Sequence, residues 1–393
     1  MSFSQIGLIL LIACVVAMLS RRFRLPYSVG LVAAGMALGF VSQAHSPQLT
    51  SDLIYTVLLP PLIFEAALQL KWRPFRRDLP VTLLLAFPGV LAAGALVAAG
   101  MHAFVGWGWV ASAMFGALIV ATDPVAVIAA FKETKVEPRL TLLVEAESLL
   151  NDGASAVAFA ILVAIAHGEN VQASAIVGSL LWMAVGGSLL GAAVAGAVLL
   201  LATRTTNPVV EITLTIIAAY GSFLLAEHRH MSGVLASLAA GLVLGNLGHK
   251  RAITPSGGDA VIATWDSIAF LANSVVFILI GIHVAAQGSR IFSATAAVAV
   301  GLVLISRAVV VYPLSALFSR TRLKVDMRHQ HMLFWAGLKG ALALALALAI
   351  PDTVREKSDI LVAVCAAVAF SIFVQGLTVP WVVDALRLRL KDD

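Results

Sequence analysis

The chain has 393 residues, 60% of them hydrophobic and 12% charged, with a mean hydropathy of +0.98. Soluble domains run at roughly 45–50% apolar and about 25% charged, so a water-soluble globule of this composition would have too few charges for its surface. The net charge of +5 is spread over short basic stretches between apolar runs, which excludes a nucleic-acid-binding surface. Two cysteines, Cys14 and Cys365, both inside apolar runs, imply neither a disulfide framework nor a zinc site; both read as buried small hydrophobes.

Apolar runs recur along the whole length, most of them reaching the roughly 20 residues that cross a bilayer as a helix. The sequence predicts thirteen spans, near 3–20, 26–43, 53–70, 80–103, 108–131, 140–166, 174–203, 208–226, 231–248, 263–286, 291–318, 329–350 and 359–385. They read as one membrane domain over 1–393: spans 1–6 (3–166), a linking span (174–203) and spans 8–13 (208–385), with no soluble regulatory domain. The first run lacks a basic stretch before it and is followed by Arg21, Arg22 and Arg24, so it reads as a span rather than a cleaved signal.

The third span carries Pro60-Pro61 and then Glu65, an acid that either lines an ion route or packs as a gate. The fifth carries Thr122-Asp123-Pro124, about 21 Å along the helix at 1.5 Å per residue. Pro124 has no N–H and its ring opposes the carbonyl of residue 120, so the helix should break here and leave the Val120 carbonyl free. Broken helices at the midplane offer backbone oxygens and half-helix ends to an ion. The sixth span runs the other way and carries Glu145, Glu147, Ser148, Asn151 and Asp152, placing Asp152 at a depth similar to Asp123. Ser148 and Asp152 are four residues apart and share a face. Both are hard oxygen donors. Glu147 points about 140° away from Asp152 and needs another partner. Glu145 lies nearer the membrane surface, at the mouth of the route.

Gly187 and Gly191 in the seventh span suit close helix packing. His228 and His230, like His329 and His331, are two residues apart and do not share a helix face, so they read as surface-loop histidines rather than metal ligands. Asp266 sits near the start of its span and reads as interfacial. Arg307, mid-span, is the natural structural partner of Glu147. Lys339, between Gly337 and Gly340, marks a second broken or closely packed helix; its charge can balance Asp123 or face half-helix carbonyl ends, with snorkelling as the alternative. Ionisable groups inside a bilayer are costly, and here acids outnumber bases, which indicates a cation or proton path.

Charge orients the spans. With the N-terminus outside and the C-terminus cytoplasmic, 20 Lys and Arg fall on the inside and 4 outside, as the positive-inside rule requires. An odd number of spans suits two inverted six-helix repeats joined by one extra helix.

Thr122-Asp123-Pro124, the hexad Glu147-Ser148-Leu149-Leu150-Asn151-Asp152, Ser306-Arg307 and Gly337-Leu338-Lys339-Gly340-Ala341 resemble the signatures of sodium/proton exchangers. They are similar to the electroneutral branch of the monovalent cation:proton antiporter superfamily, in the same order along the chain. Phe64-Glu65-Ala66 and Asn273, Phe277 and Gly281 look similar to further family positions. The resemblance implies an all-α polytopic fold of about 13 transmembrane helices, two inverted repeats and two crossed broken helices. It implies a homodimer in the cell (inner) membrane, working by elevator-type alternating access without a cofactor, in pH homeostasis. Asp152 would bind Na⁺ (or Li⁺) and H⁺ in alternation, with Asp123, Ser148, Thr122 and Glu65 completing the Na⁺ site. Glu147–Arg307 would be the structural pair, with Lys339 compensating charge. Asn151, in place of a second Asp, is similar to members that exchange one cation for one proton; Lys339 stands where those members often carry Arg. A K⁺/H⁺ antiporter of the same fold and a cation channel are the alternatives. An intramembrane aspartyl protease built on the two acids would leave Glu147, Arg307 and Lys339 without a role.

Overall fold

The computed structural model describes residues 3–23, 26–41, 50–168, 178–251 and 254–390. Among them the chain is helical with no strand beyond one isolated antiparallel bridge between Val136 and Arg389. Inside a bilayer each backbone N–H and C=O has to find its partner within the protein, and a helix does this along its own length. Seven of the described helices are long and apolar enough to cross a membrane: Trp72–Val105, Pro138–Ala166, Gly178–Ala202, Pro208–His228, Gly257–Ala286, Ala294–Ala316 and Lys357–Ala385. Shorter apolar helices accompany them.

The helices, in chain order, are α1 (Phe3–Phe23), α2 (Tyr27–Val41), α3 (Leu59–Gln69, entered through a wide π turn at Leu53–Leu58), α4 (Trp72–Ala86), α5 (Pro88–Val105), α6 (Trp109–Ile119), α7 (Val125–Thr134) and α8 (Pro138–Ala166). They continue as α9 (Gly187–Ala202), α10 (Pro208–His228), α11 (Gly233–Arg251), α12 (Pro255–Ala286), α13 (Ala294–Ala316), α14 (Met327–Trp335), α15 (Ala341–Leu348), α16 (Lys357–Phe370) and α17 (Leu377–Ala385). A helical segment lies over each predicted span. Two of those spans are interrupted, between α6 and α7 and between α14 and α15. Residues 174–177 of the predicted linking span lie outside the described residues.

The main departure from the expected boundaries is α4, which begins at Trp72 rather than near residue 80. Its first two turns are polar, and hydropathy alone reads them as loop. Asp78 is nevertheless buried and bound by Arg139 at 2.8 Å, so the charged turn folds into the protein. Starts of helices follow ordinary capping chemistry: Asn207, Thr254 and Ser293 each accept a backbone N–H of the first turn of α10, α12 and α13.

Two groups of helices emerge from the packing. In the first, α12 lies along α2, and α11 is held between α9 and α3. Small residues make these contacts close. A Cβ on Gly35 would strike the backbone of Ile278, and one on Gly281 the backbone of Val32 and Met36. Gly187 and Gly191, whose packing partner hydropathy does not identify, lie against the backbone of Ser232 and Ala236 at the start of α11. In the second group, α5 packs on α6 and α13, and α8 on α4 and α6. Both interrupted helices belong to this second group. Cys365 is buried as expected; Cys14 is exposed on α1 instead.

Candidate ion-binding site

The site begins with two helix breaks that meet. α6 ends at Ile119, the chain passes through 120–124 without helix, and α7 starts at Val125. Pro124 is the local cause, since it can neither donate to the preceding turn nor clear its carbonyl. The second break spans 336–340, between α14 and α15. The two breaks are joined directly: the Asp123 N–H donates to the Leu338 carbonyl at 2.8 Å. Gly340 permits this approach, because a Cβ there would overlap the Asp123 carboxyl group. Gly337 does the same beside Arg307.

Three successive carbonyls at the first break, Val120, Ala121 and Thr122, have side-chain partners. The Val120 carbonyl, expected to be free, accepts Asn151 Nδ2 at 2.9 Å and Lys339 Nζ at 3.2 Å. Ala121 also accepts Lys339 Nζ, at 3.3 Å. Thr122 O accepts the Ser148 hydroxyl at 2.5 Å. The expectation of an open Val120 oxygen fails because an amide and an ammonium from neighbouring helices reach it first. Lys339 thus takes the carbonyl ends of α6, the negative pole of a helix, as its contact. It is 3% exposed, so it does not snorkel. Asn151 also donates to Thr122 Oγ1 at 3.2 Å, and Thr122 Oγ1 donates to Ser148 Oγ at 3.2 Å. Ser148 and Asn151 therefore hold the shape of the break from α8.

The acids face the other side. Asp123 Oδ1 caps α7 by accepting the Val125 N–H at 3.0 Å. Asp152 is half-buried in α8, and its buried Oδ1 has no hydrogen-bond partner. A cavity of about 90 Å³ brings together Glu65, Thr122, Asp123, Asp152 and Asn273. Ser148 does not line it. Among the described residues no three His, Cys, Asp or Glu side chains converge as a transition-metal site would need. The donor set is mixed: carboxylates, a hydroxyl and an amide, all hard oxygen ligands.

Behind the break, Arg307 binds Glu147 through both arms, Nη1–Oε1 at 2.6 Å and Nη2–Oε2 at 3.0 Å, and gives a further bond to Leu333 O at 3.0 Å. The fork geometry matches the carboxylate, and both charges are nearly closed off from solvent. Glu65 is not free within its cavity. Gln69 Nε2 donates to it at 2.5 Å and to Asp266 Oδ1 at 2.8 Å. Asp266, expected at the interface, is thereby tied to the edge of the site. Glu145 lines a funnel of about 500 Å³ together with Gln69, Lys71, Lys132 and Arg139.

His329 corrects another expectation. It is buried on α14 rather than in a surface loop, with Nε2 3.1 Å from Glu137. His331 meets the Tyr312 hydroxyl at 2.8 Å. Sequence reasoning also passed over Gln69, Asn246, Glu211 and Glu227. Glu211 accepts the Thr254 N–H and hydroxyl, both at 3.2 Å, and Glu227 accepts the Gly233 N–H at 2.8 Å. Both acids lie at helix ends, where hydropathy does not separate a buried cap from a wet one. Gln69 was findable: it stands four residues after Glu65 on the same face.

Residues 8–385 match the family profile described as sodium/hydrogen exchanger, transmembrane. The chain is 35% identical to the Na⁺/H⁺ antiporter ApNhaP of Aphanothece halophytica over 374 residues, 94% of this chain and 71% of that protein. It is 33% identical to the low-affinity Na⁺/H⁺ antiporter NhaS1 of Synechocystis, over 98% of this chain and 75% of that one. In fold it is similar to the solved structure of the sodium proton antiporter MjNhaP1 from Methanocaldococcus jannaschii at pH 8. The TM-score is 0.78 at 19% identity, covering 99% of this chain and 98% of that one.

Proposed function

The chain belongs to the sodium/hydrogen exchanger family, and we propose that it exchanges Na⁺ for H⁺ across the cytoplasmic membrane at the Asp123–Asp152 cavity. One observation carries the reading. Asp152 presents a buried, unpartnered carboxylate oxygen where the two helix breaks cross. An uncompensated carboxylate in a low-dielectric interior is costly, and either a proton or a small cation relieves it. Binding of one excludes the other, so cation moving one way alternates with proton moving back. Asp123, Thr122 and Glu65 complete the Na⁺ site. Ser148 and Asn151 keep Thr122 in place, Lys339 compensates charge at the α6 end, and Glu147–Arg307 anchors the bundle.

The further features of this reading are supported by the distribution of basic residues and by the resemblance to the exchanger family. Thirteen crossings form two inverted repeats around the linking span. The basic funnel beside Glu145 faces the cytoplasm, which sets the N-terminus outside and the C-terminus inside. The group of helices holding both breaks moves past the group built on α2, α3, α9, α11 and α12, in an elevator-type motion within a homodimer. Asn151 beside Asp152, in place of a second acid, is similar to family members that exchange one cation for one proton, and supports an exchange of one Na⁺ for one H⁺.

Proteoliposomes with an imposed pH gradient test this. Na⁺ and Li⁺ should drive proton movement, without dependence on imposed voltage, and Asp152→Asn should abolish it. Na⁺-driven proton movement by Asp152→Asn would refute the site. A larger response to K⁺ than to Na⁺ would make the protein a K⁺/H⁺ exchanger, and cation flux without proton counterflow would make it a channel.

A further inference from the structure

Three helices run past both the acid cavity and the basic funnel. On α3, Glu65 lines the cavity and Gln69, one turn on, lines the funnel. On α8 the corresponding pair is Leu149 and Glu145, and on α7 it is Val125 and Lys132. The two spaces are therefore consecutive along one route, and α3 puts an amide at the point of passage. Gln69 Nε2 is bound to Glu65 at 2.5 Å and to Asp266 of α12 at 2.8 Å. The assignment of the amide follows from chemistry: two carboxylates accept, and only the NH₂ end donates. Asp266, Glu145 and Lys132 all lie near enough for their charges to act on the Glu65 carboxylate. The position of Gln69 is itself fixed. It ends α3, and the turn that follows is clamped by Asn246, whose Nδ2 binds Leu70 O at 2.9 Å and whose Oδ1 accepts the Trp72 N–H at 2.7 Å.

We propose that Gln69 is the positioning residue of the funnel-side gate, competing through its amide NH₂ with the incoming monovalent cation for Glu65. The proposal rests on the reading of the acid cavity as the transport site. A cation leaving the funnel meets Glu65 already bonded to Gln69. Rotation of the amide about its last torsion withdraws Nε2 and frees the Glu65 carboxylate for the cation. Asp266 holds the amide in its blocking orientation. Gln69 thus sets the apparent cation affinity and the ease of release, while Asp152 carries the exchanged charge.

Gln69→Leu removes the competitor at nearly constant size. The Na⁺ KM of exchange in proteoliposomes should fall about three- to tenfold, the range covered by the net worth of one ordinary, solvent-exposed hydrogen bond. Vmax should not rise, because release is no longer assisted. Asp266→Ala, which removes the acceptor, should lower KM in the same direction, and the double variant should be no stronger than Gln69→Leu alone. An unchanged KM in well-folded Gln69→Leu protein, a fall in Vmax with KM unchanged, or additive effects of the two changes would each overturn the gate. Asp152→Asn measured alongside separates the two levels. If it retains exchange, the transport-site reading fails; if it is inactive and Gln69→Leu keeps its KM, the gate alone fails.

Discussion

Replacing Arg307 by Met tests how the bundle tolerates its buried charges. The Glu147 side chain is 3% exposed and that of Arg307 13%, and both carboxylate oxygens are bound by the guanidinium. Arg307→Met leaves the Glu147 carboxylate without its bidentate partner, a change that costs about 3–5 kcal/mol when one partner of a buried pair is removed. Glu147→Leu leaves the guanidinium instead, with its bond to Leu333 O but with Lys339 as a like-charged neighbour. Its cost lies in the same range. The double change removes both charges and forfeits chiefly the Leu333 bond, roughly 1.5–3 kcal/mol for a charged donor. Melting of the purified protein in detergent should therefore rank wild type first, then the double variant, with both single variants below it. A double variant that melts at or below Arg307→Met would refute the argument, because the pair would then not be the unit that stabilises the bundle.

Two other changes probe the frame around the site. Asn246→Ala removes both bonds that clamp the α3–α4 turn and should lower stability by about 1–3 kcal/mol; an unchanged melting temperature would show that the turn holds without it. Gly340→Ala forces a methyl into the Asp123 carboxyl. Overpacking of this kind costs about 1–3 kcal/mol, and exchange should fall about tenfold or more, whereas near-normal exchange would mean that the crossing has slack.

The helical class and the approximate positions of the helices were legible because a bilayer demands long apolar helices and because basic residues mark many of their ends. The first break was legible too, since Pro124 acts locally. The second was less so: Gly337 and Gly340 matter through what lies across from them, Arg307 and Asp123, and no local rule contains that. Glu147 and Arg307 could be matched by elimination, as two buried charges that each needed a partner. The occupancy of the Val120 carbonyl could not, because Asn151 and Lys339 come to it from 31 and 219 residues away. Asp78 was hidden by its basic neighbours, and Gln69 by being neutral in a search that followed charge.

The Val120, Ala121 and Thr122 carbonyls at the first break are satisfied from within the protein, by Asn151, Ser148 and Lys339. The loop between α6 and α7 therefore needs no guest to hold it open. A pocket whose frame is fixed beforehand spends little of its binding free energy on ordering, so modest affinity is compatible with a well-defined site. For a carrier that must let go as readily as it takes hold, this separates two demands that usually conflict: the geometry persists through every empty interval, and the residence time of the ion is left to the few oxygens it touches.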